Sequence, residues 1–160
     1  VKLHLLLLGL LALPIQAESI VTQSLPITAR VQLGHQTIGL EVARTPRQRA
    51  IGLMGRKDLP ADRGMVFLFD PPAFVSFWMR NCLISLDMVF VRQGRIVNLT
   101  ANAPPCTTAQ PEQCPRYPVT GPVPADQVIE LRAGQIQQLK LKVNDPVMVT
   151  FSKPAVSIIK

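Results

Sequence analysis

Histidine is almost missing from this chain. His4 and His35 are the only two, and His4 falls in an apolar N-terminal stretch, so a Ser-His-Asp or Cys-His arrangement would have to be built on His35 alone. No serine stands in a G-x-S-x-G setting, H-E-x-x-H is absent, and neither a Walker A loop nor a G-x-G-x-x-G turn occurs. Nucleophile-elbow hydrolysis, zinc hydrolysis and the common phosphate cradles therefore lose their motifs, and no cofactor or metal set is expected. Long apolar runs are scarce as well. Residues 3–13 form the main one, well short of the roughly 20 residues that cross a bilayer.

That run has Lys2 on its N-terminal side and Ile15 and Ala17 as a cleavage pattern before Glu18, so residues 1–17 read as a secretory signal peptide. No Cys follows the cleavage point to accept a lipid. The expected location is secreted or periplasmic, with no stable membrane insertion after signal cleavage. The formal charge is +7, yet the most basic stretch, "RTPRQRAIGLMGRK", has no interleaved aromatics; a solvated helix face is expected there and no nucleic acid partner.

Cysteine usage agrees with export. Cys106 and Cys114 lie in the Pro-rich "PPCTTAQPEQCPRYP", which in an oxidising compartment reads as a loop closed by a disulfide. Cys82 is left over inside an apolar stretch and reads as a buried, inert thiol.

The remaining chain is sized for one domain. Residues 18–26 read as a flexible lead-in, 27–152 as a β-rich domain and 153–160 as a C-terminal tail. Ile27, Ala29, Val31 and Leu33 alternate with polar neighbours, as do Ile38, Leu40 and Val42 beyond Gly34-His35, which predicts a hairpin with His35 at its tip. Thr45, Pro46 and Gln48 form a capping-box start for one short helix over residues 46–53, to be ended by Gly52 or Gly55. Residues 65–69 are apolar on both faces and predict a central strand, stopped by Asp70-Pro71-Pro72. Further strands are predicted over 74–81, 86–92 and 95–101, then a Pro-rich loop over 103–125, a strand near 126–134, a weak helix or extended connector, and a closing strand that ends near Lys153. Such short strands with one helix predict a mainly β, single-domain sandwich or barrel, since strands and helices do not alternate.

Two stretches, "EVARTPRQRAIGLMGRKDLPADRGMVFLF" and "SFWMRNCLISLDMVFV", resemble the signature of the domain of unknown function 192 family, small and often exported proteins. The resemblance spans roughly residues 27–152. It implies a compact, jelly-roll-like β-sandwich or barrel with one short helix, and it implies no activity. "APPC" and "CP.Y" are similar to a pattern in exported members, which supports the disulfide by analogy. Ser85 departs from the family, whose members usually carry Pro before Leu-Asp.

Arg80, Asn81 and Asp87 are out of place in an apolar block. A buried, unpaired carboxylate would cost several kcal/mol, so Asp87 needs solvent, backbone donors or a cation. The planar guanidinium of Arg56 is the favoured partner, with the Asn81 amide beside it and Trp78 as a floor. Arg56, Trp78, Asn81 and Asp87 thus form the candidate ligand-binding set of an exported binding or accessory module for a small molecule, glycan or envelope partner. A purely structural staple is the competing explanation. Two alternatives follow: a hydrolase using Asp87 as acid or base, and a Cu(I) carrier built from Cys82 with Met54, Met65, Met79 and Met88. With no complete catalytic set, the reading leans away from an enzyme.

Overall fold

The computed structural model describes residues 20–106, 108 and 110–152. The expected signal peptide (1–17), the first residues of the lead-in (18 and 19) and the tail (153–160) lie outside the described residues.

The predicted hairpin forms from β1 (Ile27–Leu33) and β2 (Gln36–Ala43), with Val31 opposite Ile38 and Gly34 at φ +54° in the turn beside His35. Next comes the one expected helix, α1 (Pro46–Ile51). Its capping box is complete: Thr45 Oγ1 accepts from the Gln48 N–H at 3.1 Å, and Gln48 Oε1 accepts from the Thr45 N–H at 3.0 Å. Gly52, at φ +51°, ends it two residues before the predicted limit, because that backbone conformation suits glycine and breaks the helix.

The helix returns the chain so that β3 (Arg63–Val75) pairs parallel with β2, the one parallel contact in the sheet. Asp70-Pro71-Pro72 does not stop β3, contrary to the prediction. Pairing with β8 (Val123–Arg132) holds at residues 64–68, breaks, and resumes at Ala73. Proline has no N–H to give to a ladder, and a bulge carries it without ending the strand. Residues 74–81, predicted as one strand, are split instead. Phe77–Trp78 form the short β4, which pairs with β7 (Arg116–Tyr117). Beyond it the backbone turns, with the Cys82 N–H donating to the Met79 carbonyl and Asn81 at φ +57°.

The remaining elements are β5 (Leu86–Arg92), β6 (Arg95–Ala103), a 3-10 turn at Pro111–Gln113, a second short helix α2 (Gln135–Gln138) and β9 (Val149–Phe151). The mainly β class is as predicted, realised as one curled seven-stranded sheet in the order β6-β5-β8-β3-β2-β1-β9 with the β4–β7 pair as a second, smaller sheet.

Both faces of the large sheet are covered, which is why β3, β5 and β8 read as apolar on both sides. One core holds Leu40, Val66, Val89, Ile129 and Leu131 under Ile136 of α2. The other holds Met65, Phe67, Met88, Phe90 and Val128 under Leu53, Met79 and Cys82.

Asp87 is fully buried and meets no cation among the described residues. Its neighbours Leu86 and Met88 belong to the second core, so the two-residue period of the strand sends its carboxylate toward the face covered by α2. There Oδ1 accepts from the Asn102 N–H and Oδ2 from the Ile136 N–H, both at 2.7 Å. The β5–β6 register shifts between Leu86 and Met88, and Asn102 sits at φ +52°. This bulge frees the Asn102 N–H from the ladder. Ile136 lies in the first turn of α2, whose N-cap Gly134 has no side chain to cap it. The carboxylate therefore supplies the cap from another strand, and charge-assisted backbone donors take the place of the expected Arg56.

Asp87→Asn replaces one acceptor with a donor facing an N–H. It should lower unfolding free energy by about 2–4 kcal/mol, as measured by urea denaturation; a loss below about 0.5 kcal/mol would contradict the role.

Candidate functional site

The four residues singled out from the sequence do not form one cluster. Asp87 is sealed by backbone donors, so it offers no free acid for hydrolysis. Arg56 pairs with Glu41, its Nη2 donating to Oε1 and Oε2 at 2.8 Å each and to the Gln23 carbonyl at 2.9 Å. Glu41 Oε2 also accepts from the Leu25 N–H at 2.6 Å, and the Gln23 amide donates to the Gln48 and Gly52 carbonyls. Arg56 therefore ties residues 23–25 to β2 and the end of α1. The carboxylate partner on β2 escaped the sequence reading because Glu41 occupies what looks like an ordinary polar position in an alternating strand.

Asn81 works at the next corner. Its carbonyl accepts from the Gly55 N–H at 2.8 Å, and its side-chain amide approaches the Met54 sulfur at 4.0 Å. These contacts clamp the loop after α1 against the turn after β4. Asparagine tolerates the left-handed backbone this turn needs.

Trp78 is the member that borders open space. Its half-buried indole carries the guanidinium of Arg116 at 5.0 Å from the ring centroid and that of Arg80 at 5.5 Å. A groove of about 460 Å³ runs past it, walled by Arg49, Phe69, Phe74, Phe77 and Arg116. Phe77 packs edge-on against Phe67, Phe69 and Phe90, with centroids 4.9, 6.4 and 6.0 Å away. Arg49 lies over Phe69 and donates to the Leu68 carbonyl at 3.1 Å. Among the described residues no acidic side chain lines this groove.

Arg49, Ala50, Phe77 and Trp78 also wall a narrow cavity of about 30 Å³ that reaches inward to Met54, Cys82 and Glu130. Glu130 lies on β8 between Met65 of β3 and Met88 of β5, facing the second core. It is 4 % exposed, and Oε2 has no hydrogen-bond partner among the described residues. Burial pushes its carboxyl up to about 8, so it is mostly protonated at neutral pH. Burial, and secondarily the charge of Glu130, push the Cys82 thiol up to about 12. Gly52 leaves the space beside them open, since a Cβ there would stand 3.1 Å from the Phe67 ring and 3.8 Å from Glu130 Oε2.

The sequence reading passed over Glu130. Its signal is the one that drew attention to Asp87, an acid in a strand with apolar residues on both faces, here "VIELR". Cys82 is buried as expected, but it borders a cavity instead of lying in continuous packing.

The raised carboxyl has a definite sign in stability. The unfolded chain ionises Glu130 near 4.5, while the folded chain holds it neutral up to about 8. Its contribution is fully present below 4.5 and is lost as pH rises through that window. In metal-free protein, Glu130→Gln should remove a decline on the order of a few kcal/mol across that range, checked by denaturation at a series of pH values. Parallel profiles for the two proteins would refute the assignment.

No curated protein matches the chain. Among solved structures it is similar to a protein of unknown function from Novosphingobium aromaticivorans DSM 12444, with 34% identity, a TM-score of 0.63, and coverage of 76% of this chain and 83% of that one. It is also similar to a protein from Sinorhizobium meliloti 1021 named provisionally as a transcription regulator, with 30% identity, a TM-score of 0.62, and coverage of 76% and 91%. The family described as Uncharacterized ACR, domain of unknown function 192, matches residues 28–149. Spanning most of the chain and agreeing with the fold of these relatives, that match shows that the chain belongs to the domain of unknown function 192 family.

Proposed function

We propose that this chain is an exported binding module whose ligand lies in the groove along Trp78 and Phe77, and that the ligand is a carboxylate-bearing small molecule or glycan unit. The single observation that carries the reading is the indole with two guanidinium groups over it that have no ion pair among the described residues. The Arg80 and Arg116 guanidinium groups lie over the Trp78 ring, and neither makes a side-chain hydrogen bond or salt bridge among the described residues. A guanidinium held against an aromatic ring with no protein partner has N–H donors to offer, and their fork matches a carboxylate. The aromatic wall supplies apolar contact for a flat ligand body, the mixture of apolar lining and few polar groups that suits a small-molecule site.

Of the four residues expected from sequence, Trp78 keeps a direct binding role. Arg56 and Asn81 hold the surrounding loops, and Asp87 belongs to the scaffold. Export is supported by the signal-like leader and by the Cys106–Cys114 disulfide, which suits an oxidising compartment such as the periplasm or the exterior. Among the described residues no helix is long and apolar enough to cross a membrane.

The test is calorimetric titration with oligogalacturonates and a series of aromatic carboxylates. Binding should weaken by roughly tenfold in Arg116→Gln and by a similar factor in Trp78→Ala, with the unfolding transition unchanged in Arg116→Gln. Preference for the uncharged methyl esters, or equal affinity in wild type and Arg116→Gln, would defeat the reading.

A further inference from the structure

We propose that the narrow cavity beneath the groove is a site for a soft monovalent cation, Cu(I), bound by the sulfur atoms of Cys82 and Met54 with the Glu130 carboxyl facing it. This inference is independent of what occupies the groove. It begins from three donor side chains brought together by separate parts of the chain: Glu130 on β8, Met54 in the loop after α1, and Cys82 in the turn after β4. All three wall one cavity of about 30 Å³. Such a space admits a single ion or a water and little else.

The second observation is the carboxyl itself. Glu130 is nine-tenths or more buried, and Oε2 is left without a protein partner. Buried polar atoms in native proteins are almost always satisfied, so an orphan at a cavity wall points to something that fills the cavity.

The donor chemistry narrows the choice. A thiol and a thioether are soft ligands that favour Cu(I) over harder ions. Among the described residues no three His, Cys, Asp or Glu side chains gather into a metal-binding group, so zinc lacks its usual set. Charge agrees as well. Cu(I) displaces the thiol proton of Cys82 to solvent and forms a copper–sulfur bond without change of oxidation state. The resulting thiolate–Cu(I) unit carries no net charge and is compatible with apolar walls.

The clamp between Asn81 and the loop after α1 acquires a purpose here. The Gly55 N–H to Asn81 carbonyl bond joins the residues next to Met54 and Cys82, and the Asn81 amide approaches the Met54 sulfur at 4.0 Å. The two sulfur donors are thereby held on facing backbones before any ion arrives.

Purified untagged protein, reduced and loaded anaerobically with Cu(I) as its acetonitrile complex, should retain one copper per chain after desalting against a bathocuproine competitor. Cys82→Ser should lose at least tenfold in retention and Met54→Leu should lose part of it, whereas Met148→Leu, at a methionine 80% exposed, should match wild type. X-ray absorption of the loaded wild type should show a sulfur-dominated copper shell, a readout that requires no variant to fold. No retained copper, equal retention in a folded Cys82→Ser, a shell of nitrogen and oxygen alone, or preferential retention of Zn(II) would each overturn the proposal.

Discussion

The structure turns on a carboxylate held without a cation. Asp87 is sealed inside the sheet, and its two oxygens take the N–H of a bulged residue on β6 and the N–H of the first turn of α2. Charged hydrogen bonds of this kind offset the desolvation of one acid best when both of its oxygens are partnered. Because they are, one face of the sheet closes under a helix of only four residues, an element too short to be stable without tertiary anchoring.

One strand away, the opposite outcome occurs on the opposite face. Glu130 stands across from Met88, the neighbour of Asp87, and its carboxyl points into the second core with Oε2 unpartnered. Two acids in adjoining strands thus differ by a single step of the β period. One received backbone donors because a bulge and a helix terminus happen to lie above it. The other faces thioethers, aromatic rings and a thiol, which donate little, and it is there that the fold leaves a cavity. An acid held neutral in an apolar pocket is a feature associated with functional sites.

The walls of that cavity depend on polar ties in the segments that flank it. Arg56 and Glu41 fix the loop after α1, and Asn81 fixes the turn after β4. The turn is braced further by the Cys106 N–H, which donates to the Met79 carbonyl at 3.1 Å, so the Cys106–Cys114 loop supports the same corner. A crosslink over so short a loop is worth about 2–3 kcal/mol in the chain-entropy account. Its position, beside the turn that presents Cys82, makes it part of the scaffold of the candidate site.

Local patterns were enough to determine the mainly β class, the β1–β2 hairpin and the capped start of α1, which rest on interactions within a few residues, and the central place of β3, which its apolarity on both faces announces. The two signature stretches marked the family, and Pro-rich context marked the disulfide. Which polar groups meet was decided only by the tertiary structure. Asp87 looked like a partner for Arg56 because both are charged and both are in signature stretches, yet strand alternation sends Asp87 to the α2 face, while Arg56 lies beside Glu41 of β2. Glu130 and Cys82 are 48 positions apart in sequence and become neighbours only when β8 passes beneath the turn after β4. Sequence spacing encodes which side of a strand a residue faces; the packing of elements on that side decides whether a buried carboxyl finds a donor or an empty space.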